Sequence, residues 1–248
     1  MFAIYKKELL SYFINPQGYV FSGIFLLLSA LVCSYTTLLM QSYDTSLYFT
    51  VLIFDLAVLI PILTMRLFSE EKKMRTEQLL LTAPVSISGM VAGKFFAALT
   101  LFWGNMLLSC INFIPLYVVA AKERGGLSYA STNVGPVTSE LIGCFIGVML
   151  LGAAFVAIGT FISSLTENQL AAAIVTIAVI LGLTVIGLLS SLIGAQWIRA
   201  ILDWISVLSR FEGFSAGIFD FSALLYYASL CFIFLFFTVR VYEKRRWG

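Results

Sequence analysis

LIGCFIGVMLLGAAFVAIGTFISSLT occupies residues 141–166 and carries no charge, with Glu140 and Glu167 at its borders. As a helix rising about 1.5 Å per residue, such a run outspans the roughly 30 Å of hydrocarbon in a bilayer. Its apolar residues are continuous and show no period of two. That favours a helix over a barrel strand, because lipid tolerates only backbones whose polar groups are satisfied internally. The same test finds further runs. Residues 9–43, 95–121 and 168–198 are uncharged, 47–65 are broken only by Asp55, and 221–239 complete the set. The chain is expected to be an all-α integral membrane protein forming a single transmembrane domain over 1–248. Its six transmembrane helices are expected at 18–40, 47–66, 95–121, 140–164, 169–193 and 219–240.

Composition agrees. The 248 residues are 60% hydrophobic and 11% charged, with a mean hydropathy of +1.00. An ordinary soluble domain is about 25% charged, so this chain lacks the polar residues to cover a water-facing surface. A net charge of +2 leaves no basic footprint, and nucleic acid is not a partner. Histidine is absent, which removes imidazole bases and HExxH metal sites. Cys33, Cys110, Cys144 and Cys231 lie far apart in apolar runs and read as reduced packing residues. No catalytic or metal-binding residue is expected. The nearest approach to a P-loop, Gly89-Met-Val-Ala-Gly93-Lys94-Phe95, is one residue short, and Phe95 replaces the magnesium-binding hydroxyl. If ATP is used, a partner hydrolyses it.

Six spans put both termini on one side. With that side cytoplasmic, eleven Lys and Arg lie inside and four outside, so the positive-inside rule selects N-in, C-in. A cleavable signal peptide is not expected, because the first apolar run is far longer than an h-region.

Between the spans, residues 1–15, MFAIYKKELLSYFIN, place Phe2, Tyr5, Leu9, Tyr12 and Phe13 at helical steps, with Lys6, Lys7 and Glu8 clustered apart. Asn15-Pro16 then breaks the helix. This reads as a helix lying in the membrane interface. The loop 66–94, RLFSEEKKMRTEQLLLTAPVSISGMVAGK, reads as a short charged helix. Ser69 is placed to cap it, Glu70-Glu71 to form its first turn, Glu71 to pair with Arg75, and Pro84 to end it. Its basic residues satisfy the charge rule, but Glu70, Glu71 and Glu77 are not needed for that and suggest a docking element. The outer loop 122–139 is short and polar. Residues 195–217 carry a helical stripe with Trp197 and Trp204 at headgroup level and read as a re-entrant outer segment before the sixth span.

Within the membrane, Asp55 is the one carboxylate deep in a span, at a cost of roughly 2.5–3.5 kcal/mol on insertion scales. It reads equally as part of a wet path and as a neutral or hydrogen-bonded helix contact. Gly143 and Gly147 form a GxxxG extended by Ala154, a helix-packing surface within one subunit or between two.

TMRLFSEEK (64–72), TEQLLLTAPVS (76–86) and GKF (93–95) resemble the signature of type-2 ABC transporter permeases. The likeness is closest to the small permeases of the gliding-motility and copper-nitrous-oxide-reductase-maturation kind. KKEL and NP within 6–16, FEGFSAGIFD (211–220), Tyr226-Tyr227 and RRW (245–247) fit as well. The resemblance implies a permease subunit in the cell inner or plasma membrane, and an exporter. It implies pairing with a second copy or a homologous permease, contact with membrane lipid, and a separate cytoplasmic ABC ATPase. No cofactor is bound directly; ATP and Mg reside on that partner. The loop 66–94 is then the coupling helix. Glu70, Glu71, Lys72, Arg75 and Glu77 are the expected ATPase contacts, with Lys6, Lys7 and Glu8 in support. The alternative from another class is a proton-coupled carrier or channel using Asp55. An intramembrane enzyme is disfavoured by the absence of histidine and of paired carboxylates. The substrate is not legible.

Overall fold

The computed structural model describes residues 1–40, 43–78, 86–126, 135–190, 196–217 and 220–247. Eleven α-helices follow along the described chain: α1 Phe2–Ile14, α2 Pro16–Cys33, α3 Ser46–Thr64, α4 Arg66–Lys73, α5 Ile87–Ser109, α6 Ile114–Gly126, α7 Thr138–Leu165, α8 Gln169–Ser190, α9 Gln196–Ile205, α10 Val207–Ser215 and α11 Phe221–Trp247. No strand occurs among the described residues. Among the described residues, six helical runs are long and apolar enough to cross a membrane: Pro16–Thr37, Ser46–Lys73, Ile87–Ala120, Thr138–Leu165, Gln169–Leu189 and Phe221–Arg246.

Local chemistry sets the breaks. Asn15 is extended (φ −82°, ψ 148°) and Pro16 opens α2, where its missing N–H costs no helix bond. The Ser86 hydroxyl accepts from the Gly89 N–H and so starts α5 at Ile87. Lys94 therefore lies two turns inside a helix, not at its mouth. Ser206 caps α10 in the same way, accepting from the Ser209 N–H at 3.1 Å. A 3-10 turn at Cys110–Phe113 separates α5 from α6. There Asn112 Nδ2 donates to Ser29 Oγ at 2.8 Å, and Ser29 shares a hydrogen bond with the Tyr48 hydroxyl at 2.9 Å. This polar cluster gives partners to groups that lipid would leave unsatisfied.

Helix α7 is the axis of the bundle, packed by α3, α4, α5, α8, α10 and α11. Its glycines permit the closest approaches. A Cβ on Gly152 would stand 2.3 Å from the Phe102 ring, and one on Gly159 would stand 2.1 Å from Thr64 Oγ1. By contrast, α8 exposes Leu170, Ile174, Val175, Val179, Val185 and Leu188, and α11 exposes Phe232, Phe236 and Phe237. Apolar side chains facing outward from long helices are what a hydrocarbon solvent allows.

The loop after the second span departs from the sequence reading. No helix begins at a Ser69 cap. The span's helix continues past Met65 as α4, and Ser69 lies within it, its hydroxyl donating to the Met65 carbonyl. Helix α4 ends at Lys73, well short of Pro84, which lies outside the described residues. The stop is a Schellman closure: Thr76 N–H donates to Glu71 O and Arg75 N–H to Lys72 O, both at 3.0 Å. Arg75 occupies the left-handed position, at φ 56°, where glycine is usual. Glu71 does not pair with Arg75; the i,i+4 pair of this helix is Arg66–Glu70. Parts of the expected coupling loop, the outer loop and the re-entrant segment (79–85, 127–134, 191–195 and 218–219) also lie outside the described residues.

Candidate functional site

The charged residues gather at one end of the bundle, where α1, α4, the start of α5 and the last turns of α7 and α11 meet. At its centre is the Lys94 ammonium, 1% exposed. It donates to Glu8 Oε1 at 3.0 Å and to the Leu67 carbonyl at 2.7 Å, and lies 2.8 Å from Glu71 Oε1. The Phe68 ring covers it at 5.2 Å. Lys7 stands 3.7 Å from Glu71 and 3.8 Å from Glu8, so the cluster contains two cations and two carboxylates. One buried ammonium thus pins three separate helices: α1 through Glu8, α4 through Glu71 and Leu67, and α5 through its own backbone. Burial of such a charge is tolerable only because each of its contacts is made.

The seat for α1 on α5 is made by glycine. A Cβ on Gly93 would meet Met1 O at 3.2 Å, Ile4 Cγ2 at 3.3 Å and Tyr5 N at 3.3 Å. In the segment whose spacing superficially resembled a P-loop, Gly93 seats α1, and Gly89 lies against the Ser86 cap of its own helix. Tyr12 closes the other end of α1, its hydroxyl donating to the Leu63 carbonyl at 3.2 Å. Burial, with Glu8 nearby, pushes the Tyr12 phenol above the ordinary tyrosine range, so it stays a donor.

Helix α7 grips α4 from the opposite side. Ser163 Oγ accepts from the Phe68 N–H at 3.1 Å and the Ser69 N–H at 3.3 Å, and donates to Met65 O at 3.0 Å. A side-chain hydroxyl inserted into the helix ladder explains the interruption at Met65. Lys72 is buried and donates to the Ser164 carbonyl. From α11, Tyr242 packs its ring 5.0 Å from Phe68, and Arg245 Nη1 donates to Glu77 Oε1 at 3.0 Å.

The expected site residues therefore divide. Glu8, Glu71, Lys72 and Glu77 are engaged within the chain. Glu70 is held by Arg66, whose Nε donates at 2.6 Å. Lys6, Lys7, Lys73, Met74 and Arg75 present the exposed surface. Asp55 is remote from this cluster; it is half-buried in α3, and its Oδ2 has no hydrogen-bond partner among the described residues. Gly143 and Gly147 pack within the chain against α10. A Cβ at Gly143 would lie 2.9 Å from Phe214 O, and one at Gly147 would lie 3.0 Å from the Phe211 and Phe214 rings. Ala154 is fully buried in the core.

Sequence reasoning missed Lys94, Ser163, Ser164, Tyr242 and Arg245 as parts of the site. Lys94 was discoverable. Once Ser86 is read as a cap, a lysine lies inside an apolar helix and demands a partner. The serines of α7 gave no signal that separates them from ordinary helix-packing residues.

Comparison with protein families places this architecture. A family model described as ABC-2 family transporter protein matches residues 17–185, more than half of the chain. The chain belongs to that family: it is a multi-pass membrane protein and a permease of the ABC transporter class. No curated protein matches it.

Proposed function

We propose that this chain is the membrane subunit of an ATP-driven exporter, working with a separate cytoplasmic ABC ATPase that binds and hydrolyses Mg-ATP. Both termini and the charged end face the cytoplasm, as the distribution of Lys and Arg requires. A second copy, or a homologous permease, completes the translocation unit. The observation that carries the reading is the Lys94 cluster. It makes α1, α4 and the head of α5 one body, so a push on any of them is delivered to the second and third spans together. Lys73, Met74 and Arg75, at the exposed tip, are the contact for the ATPase, with Lys6 and Lys7 beside them. Glu71 and Lys72 position that tip from within.

Arg75 allows docking to be separated from folding. Arg75→Gly relieves a left-handed backbone by about 1 kcal/mol while removing the charge. The expected result is an equally or more stable permease that retains less ATPase on gentle purification and transports poorly, with Lys73→Glu/Arg75→Glu more severe. Normal ATPase retention and normal transport in both variants would remove this tip as the contact. Topology is tested separately: a cysteine at Met74 in an otherwise cysteine-free chain should react with a membrane-impermeant maleimide only from the cytoplasmic side.

The proton-coupled reading built on Asp55 is not favoured, given the family. It requires transport without ATP and its loss in Asp55→Asn. The ATP-driven reading expects Asp55→Asn to transport normally.

A further inference from the structure

Three cavities follow one another beside α1, each sharing lining residues with the next, and they change character along the row. The first is an apolar groove of about 210 Å³ between α2 and α3, lined by Val20, Phe21, Ile24, Leu59, Ile62 and Leu63. Val20, Ile24 and Ile62 are also exposed, so the groove opens sideways from the bundle, where the bilayer lies. An apolar cavity of about 150 Å³ already takes up benzene, so this one has room for a stretch of acyl chain. Tyr12 and Gln17 line its upper end and also line a small polar cavity of about 30 Å³ that includes Ser11, Arg66 and Glu70. That cavity in turn shares Glu8, Ser11, Arg66, Leu67 and Glu70 with a cleft of about 230 Å³ whose lining includes the charged residues Lys7, Glu71 and Lys94. The sequence is thus apolar groove, tyrosine-glutamine collar, charged cleft, at the level where a span meets the interface.

We propose that this groove and cleft hold one zwitterionic phospholipid from the leaflet at the charged end, its acyl chain between α2 and α3 and its headgroup in the cleft beside α1. Charge selects the class. The cleft is lined by three cations, Lys7, Arg66 and Lys94, and three carboxylates, Glu8, Glu70 and Glu71. A headgroup carrying both signs is matched there; a net anion meets three carboxylates with their cations already engaged. Lys94 is occupied by Glu8 and Glu71, and Arg66 by Glu70. Lys7, 65% exposed and no nearer than 3.7 Å to a carboxylate, is the cation left to meet the phosphate. Glu70 accepts from Arg66 but, at 39% exposed, is the most open of the three carboxylates and keeps lone pairs for the ammonium. Such a lipid lies along α1 and the second span, with its headgroup in the cleft that Lys94 helps to line. The site needs only the bilayer, so it stands independently of the ATPase reading.

The test is native mass spectrometry of the full chain released from nanodiscs of phosphatidylethanolamine and phosphatidylglycerol in equal amounts. One phosphatidylethanolamine per chain should survive activation that strips the remaining lipid. Val20→Trp and Ile62→Trp fill the groove from exposed positions, and each should lower that retention at least tenfold with an unchanged gel-filtration profile. A phosphatidylethanolamine carrying a diazirine on its acyl chain, used on the unaltered protein, should label peptides containing residues 16–24 and 59–63. Four outcomes overturn the proposal: no retained lipid, equal retention of phosphatidylglycerol, labelling spread evenly over α8 and α11, or cross-linking of a Val20→Cys chain to a second copy. The last would make the groove a subunit interface.

Discussion

At one end of the bundle Lys94 holds α1, α4 and α5 together through ion pairs; at the other, Gly143 and Gly147 hold α7 against α10 by having no side chain. The first contact is strong only while every partner is in place, and its outer member, Lys7, is reached by solvent and salt. The second is a surface match between backbone and the rings of Phe211 and Phe214, and salt has nothing to act on. One molecule thus uses directional, breakable contacts where we propose a force enters, and close-packed ones where the bundle must keep its shape.

Removing the buried cation should break the comparison most severely. Lys94→Met leaves the partly buried Glu8 and Glu71 with only the exposed Lys7 as counter-charge, and the expected loss is about 3 kcal/mol, the low end for breaking a buried pair. Thermal unfolding in detergent checks this. Adding Glu8→Gln and Glu71→Gln to Lys94→Met should restore most of the stability while α1 loses its tie to α4. Stability unchanged in the single variant would show that the cluster is not load-carrying.

A smaller effect is expected at the glycine end. Gly147→Leu drives a side chain into Phe211 and Phe214 and should cost about 1–3 kcal/mol by overpacking. Its distinguishing property is insensitivity to salt: the melting temperature should fall equally at low and high ionic strength. A salt-dependent deficit would mean that charge, not packing, governs that end.

The smallest effect is expected at the rim of the charged end. Glu77→Gln removes an ion pair to Arg245, whose side chain is 36% exposed, and should cost about 0.2–1 kcal/mol, less at high salt. The same substitution sharpens the comparison, because it separates the exposed fringe of the ionic end from its buried centre.

How much of this was legible varies by residue. The six spans follow from the uncharged runs, because a bilayer reads mainly length and polarity. The α1 boundary follows from Asn15-Pro16, a local steric effect. The loop after the second span was read wrongly in detail for a physical reason. Ser69 has the chemistry of a cap, but a helix already hydrogen-bonded upstream has no free N–H groups there to cap. Its hydroxyl turned back to Met65 instead. Glu71 and Arg75 have ideal spacing for a pair, yet Arg75 leaves the helix at φ 56° and Glu71 turns to a lysine from another span. Spacing rules describe a continuing helix and cannot know where a Schellman closure falls.

By itself the sequence determined the solvent, the number of crossings, the gathering of basic charge at one end and the presence of an acidic-basic segment after the second span. These depend on composition and local order along the chain. Tertiary structure alone decided which carboxylates Lys94 would gather, that Gly93 seats a helix, and that Gly143 and Gly147 pack within the chain. It also decided that the Ser163 hydroxyl would enter another helix's backbone ladder. Each joins residues many positions apart, and the energy that selects them is that of satisfying buried polar groups and filling close-packed space once the helices have met.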